Sequence, residues 1–75
     1  MMQVAFWNPQ TGIFDAAQLR LAIVMRGWTV AEFANTARIS NGCIHSVLLG
    51  SGVTDRTAIR IFQTLATREP YSLTL

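Results

Sequence analysis

Two helix-start signals stand eleven positions apart, Thr29 before V-A-E-F-A-N-T-A and Ser40 before N-G-C-I-H-S-V-L-L, and this close spacing constrains the chain most. Thr29 with Glu32 three residues on forms a capping box. The hydroxyl accepts from the third amide of the helix, and the carboxylate accepts from the amide of the cap. Ser40 is the cap of a second helix, so the first must end near Ala37 and the turn between them is only a few residues long. Phe33 and Ala34, with Val30 and Ala37 alongside, mark the inward side of the first helix. Ile44, Val47 and Leu48 mark that of the second. A small residue at Ala34 lets the two helices cross closely.

The flanks read as further helices. Asp15, with Gln18 as a capping-box-like partner, starts a helix from about Ala16 to Arg26. Its residues Leu19, Ala22, Ile23 and Arg26 fall at i, i+3, i+4 and i+7, and Gly27 follows where a left-handed residue closes a helix. Gly50, Ser51 and Gly52 break the chain after the second short helix. Thr54 caps a last helix from about Asp55 to Thr67, with Asp55 favourable in its first turn. Ile59, Phe62 and Leu65–Ala66 are its expected core side, and Ala58 and Ile61 broaden the stripe. The surplus of apolar surface suggests association with a second copy. Gln3–Trp7 reads as a short strand or an arm packed on the helices, followed by the turn N-P-Q-T-G. Tyr71–Leu75 alternates like a strand. The two ends are expected to pair with each other or across a dimer. The expected fold is all-α, a compact domain of four to five helices with room for short terminal β-strands. It is a single domain over 1–75, with a core of about 15–67 and terminal arms at 1–14 and 68–75.

Composition narrows the function. With 75 residues and 51% apolar content there is room for one core. No run of about 18 apolar residues predicts a membrane span, and Met1–Pro9 lacks the pattern of a signal peptide. Cys43 is the only cysteine and His45 the only histidine, so neither a disulfide nor a zinc cluster is expected. Asp15, Glu32, Asp55 and Glu69 are the only acids, and most serve helix starts. With no phosphate-cradling glycine loop either, the reading is not an enzyme, with no cofactor, no metal and no small-molecule ligand. The basic residues are all arginine, the better bidentate partner of phosphate and guanine, although GC-rich coding produces the same bias.

A capped helix, a tight turn and a second capped helix make the helix-turn-helix pattern, whose second helix reads the DNA major groove. The string L-R-x-A at 19–22, R-G-W-T at 26–29, F-A at 33–34, I-S at 39–40, Ile44, Val47 and Gly50 resembles the lambda-repressor/Cro-type helix-turn-helix family. The resemblance runs over about Leu19–Leu65. Three positions depart from it. Arg38 stands where that family has glycine at the turn, so the turn must distort or accept a left-handed arginine at about 1 kcal/mol. Gly42 lies inside the second helix, and Leu48 replaces a common glutamate.

The resemblance implies a sequence-specific repressor or Cro-like regulator, phage-like in its small size, that binds a double-stranded operator as a homodimer in a bacterial or phage-infected cytoplasm. It implies that Ser40, Asn41 and Gly42 open the recognition helix, with His45 and Ser46 one turn on. The amides of Val30 and Ala31 lie near a phosphate, and Arg38 and Arg56 are further phosphate contacts. Arg20, Arg26, Arg60 and Arg68 read as solvated helix surface, and Trp7 and Trp28 as core or interface. Two alternatives stand beside this. One is an excisionase-like architectural DNA-binding factor. The other is a protein-binding module on the same scaffold, such as an antirepressor or antitoxin, which an apolar rather than arginine-flanked recognition face would favour.

Overall fold

Every helix begins on a side-chain cap. In the computed structural model, which describes residues 7–71, Asp15 Oδ1 accepts from the Gln18 amide at 3.1 Å and starts α1 (Ala16–Met25). Thr29 starts α2 (Val30–Ala37), where Thr29 Oγ1 accepts from the Glu32 amide at 3.1 Å. Glu32 Oε1 accepts from the Thr29 amide at 2.9 Å, so both halves of the box form. Ser40 Oγ accepts from the Cys43 amide at 3.0 Å and starts α3 (Asn41–Leu48). Thr54 does the same for the Thr57 amide at 3.3 Å and starts α4 (Asp55–Ala66). Each such cap is worth about 1 kcal/mol against alanine.

Three helices also close alike. Gly27, Arg38 and Gly50 take positive φ, and the residue after each donates its amide to a carbonyl five residues back: Trp28 to Ile23, Ile39 to Ala34, Ser51 to Ser46. These bonds cover carbonyls that the helix leaves open. The α2 end uses arginine, at φ 61° and ψ 42°, so the turn keeps its regular bonds and carries the left-handed strain instead of distorting.

Leu19 and Ile23 from α1, Phe33, Ala34 and Ala37 from α2, Ile44, Val47 and Leu48 from α3, and Ala58, Ile61 and Leu65 from α4 meet in one core with Phe14 and Trp28. α2 packs between α3 and α4, and α1 lies against α2 and α3. The expected core side of α4 needs correction. Ile59 is 53% exposed and Ala66 is exposed, while the buried stripe is Ala58, Ile61, Leu65 and Thr64. Thr64 tolerates burial because its Oγ1 donates to the Arg60 carbonyl at 2.8 Å.

The fold is mostly helical but not wholly so. β1 (Trp7–Asn8) and β2 (Ile13–Phe14) form a small antiparallel hairpin, with Trp7 opposite Phe14 and Asn8 opposite Ile13. The N-terminal strand therefore has a local partner. The expected pairing of the chain ends falls on residues 1–6 and 72–75, outside the described residues. Tyr71 is not in a strand, and its amide donates to the Met25 carbonyl at 2.7 Å. Phe14 lies 6.0 Å from the Trp7 ring and 5.6 Å from that of Phe62, which seats the hairpin on α4. Glycine is required where the hairpin loop meets the loop after α3. A Cβ on Gly12 would stand 2.5 Å from the Val53 carbonyl oxygen, and one on Gly52 would stand 2.7 Å from that of Thr11.

Arg26 and Arg68 are structural rather than merely solvated. Arg26 is half-buried, and its guanidinium donates to the carbonyls of Leu65, Arg68 and Ala22. Arg68 lies 4.3 Å over the Trp28 ring, which in turn meets Phe33 edge-on at 5.4 Å.

Candidate nucleic-acid interface

The short α3 has two sharply different sides because successive residues turn by about 100°. Ile44, Val47 and Leu48 are buried against the other helices. Asn41, Gly42, His45 and Ser46 are all exposed, and Ser40 is exposed at the cap. Asn41 and His45 are one turn apart, as are Gly42 and Ser46, so these side chains share one outward face. Cys43, at the edge of that face, is half-buried. No carboxylate lies on this helix. The face continues to Leu49, one turn beyond His45 and 86% exposed. The i, i+4 spacing of Asn41, His45 and Leu49 was the signal that would have added Leu49 to the expected site.

Each helix start leaves backbone donors open. The caps of α2 and α3 engage the third amide of their helices. The first two amides of each, Val30 and Ala31 in α2 and Asn41 and Gly42 in α3, have no acceptor among the described residues, as at any helix start. Val30 is half-buried and Ala31 exposed. The Glu32 carboxylate, held on the Thr29 amide, offsets part of the positive end of α2. Gly42 is surrounded by space, for a Cβ there would find nothing nearer than Ser40 Oγ at 4.0 Å.

Arg38 is exposed in the left-handed turn that leads from α2 to α3. Its carbonyl accepts from Arg60 Nη1 at 3.3 Å, which brings α4 to this turn. Arg60, read from the sequence only as solvated surface, therefore stands beside an expected site residue. Arg56 is exposed one turn earlier on α4. Among the described residues no arginine has a carboxylate within 4.0 Å. Among the same residues no group of three or more His, Cys, Asp or Glu could hold a metal, and no helix is long and apolar enough to cross a membrane. Comparison with protein families, with curated proteins and with solved structures finds no match to this chain.

Proposed function

We propose that this protein is a sequence-specific regulator of double-stranded DNA, in which α2, the turn at Arg38 and α3 act as a helix-turn-helix. The observation that carries this reading is the outward face of α3. It is polar, free of acids and open, on a helix firmly held by its buried side. Asn41 can pair with the N6 and N7 edge of adenine, and His45 and Ser46 with other base edges. Ser40 fixes the start of the helix, and Gly42 leaves room for bases or backbone to come close. The amides of Val30 and Ala31 and the Arg38 guanidinium would hold phosphates and set the register. Exposed apolar residues outside α3, among them Leu21 and Val24 on α1 and Ile59 on α4, offer contacts to a homodimer, which would place two α3 helices on paired half-sites.

A protein partner for α3 would be favoured by an apolar face. This face is polar until Leu49, which favours DNA. The test is binding of the purified protein to labelled duplex, titrated with salt and with random competitor. Affinity should fall with salt at a slope set by several phosphates. It should survive competitor, and Asn41→Ala or His45→Ala should each weaken the preference by removing discrimination at the base that side chain reads. A folded protein that binds no duplex at low salt would overturn the reading.

A further inference from the structure

The arginines of this chain fall into two kinds. Arg26 and Arg68 point their guanidinium groups at backbone carbonyls and serve the fold. Arg20, Arg38, Arg56 and Arg60 are exposed and have no carboxylate within 4.0 Å among the described residues, and of these Arg20 lies apart on α1. Arg56 and Arg60 are four apart on α4, so their side chains leave the same face of the helix, an arrangement that is unfavourable without an anion between or above them. The Arg60 bond to the Arg38 carbonyl fastens Arg60 beside the turn that leads into α3, with Arg56 one helical turn away on α4. That bond uses one of five N–H donors on Arg60 and leaves the rest of the fork free.

We infer that Arg56 and Arg60 form, with Arg38, a phosphate-binding ridge that carries one DNA strand across α4 while α3 faces the groove. The inference rests on the DNA-binding reading above and adds Arg60 as both a contact and a positioning residue. Planar guanidinium groups suit phosphate because two parallel N–H donors meet two oxygens. The ridge contributes affinity without sequence preference, whereas Asn41 and His45 contribute the preference.

The experiment measures the affinity of the full chain for a random-sequence duplex and for its best-bound duplex across a salt series. Arg56→Gln and Arg60→Gln should each reduce the slope of log affinity against log salt by about 0.9, and together by about 1.8. Each should weaken both duplexes by the same factor. Arg60→Lys should keep the slope yet bind more weakly, since it retains the charge and loses the fork. Arg20→Gln, on α1, removes the same charge from elsewhere and should leave the slope unchanged. Circular dichroism confirms that each variant is folded. If the parent binds and the two α4 variants keep its slope, or if Arg20→Gln lowers the slope equally, the ridge is wrong and the DNA reading stands. If the parent binds no duplex, both fall together.

Discussion

Arg26 and Arg68 hold each other through their backbones: the Arg26 Nε donates to the Arg68 carbonyl at 3.1 Å, and Arg68 Nη1 donates to the Arg26 carbonyl at 3.1 Å. Two like charges are tolerated because each faces the carbonyl end of a helix, where a cation is favoured. This clasp joins the ends of α1 and α4 and lays Arg68 over Trp28. Arg26→Ala strips the half-buried Leu65 and Ala22 carbonyls of a charged donor. It should cost about 2–3 kcal/mol in urea unfolding. Arg68→Ala should cost only about 1 kcal/mol, because both its bond to the Arg26 carbonyl and its contact with the Trp28 ring are made by an exposed side chain.

Arg38 adopts the left-handed conformation that Gly27 and Gly50 adopt at the other closures. Arg38→Gly should therefore raise stability by about 0.5–1 kcal/mol while removing a phosphate contact. Thermal unfolding and DNA titration on the same sample should move in opposite directions. A variant that gains stability and keeps its affinity would show that the Arg38 side chain does not meet DNA.

Gly42 costs helix stability without any steric need in the free protein. Gly42→Ala should stabilise the fold by about 0.5–1 kcal/mol. If the helix start approaches bases closely, the added methyl should weaken DNA binding by about tenfold, or 1.4 kcal/mol. Unchanged affinity would remove Gly42 from the interface.

Glu32 is the acid nearest the proposed phosphate contact at the start of α2. Glutamine can also complete a capping box, so Glu32→Gln should keep the bond to the Thr29 amide. It should lower stability by about 0.3–1 kcal/mol through the lost helix-end charge, and tighten DNA binding by about two- to fivefold at low salt. Weaker binding would place the phosphate elsewhere.

Much of the helical framework was legible because its determinants are local. Asp15, Thr29, Ser40 and Thr54 cap amides three residues away, and Gly27 and Gly50 close helices on carbonyls close in the chain. What escaped depends on distant partners. Arg26 looks like surface until Leu65 and Arg68, 39 and 42 residues away, arrive beside it. Arg60 gains meaning only through Arg38, 22 residues back. Ile59 and Ala58 both fit the wide apolar stripe of α4, and only packing against α2 decides that Ala58 goes in. Ile13–Phe14 is too short to show a strand period, although the turn before it was plain. The face of α3 was legible as a set of exposed polar positions, and the i, i+4 step from His45 carries it on to Leu49, an apolar residue passed over in a search for polar contacts.

The central claim, that the outward face of α3 reads DNA sequence, is tested most directly by selection from a random duplex pool with the parent protein and with Asn41→Ala. The account predicts that the parent enriches one short motif, with two half-sites about a helical turn apart if it binds as a dimer. The variant should lose preference at one position per half-site while keeping its salt slope. A parent that stays folded and enriches no sequence, or a variant that enriches the same motif unchanged, would contradict it.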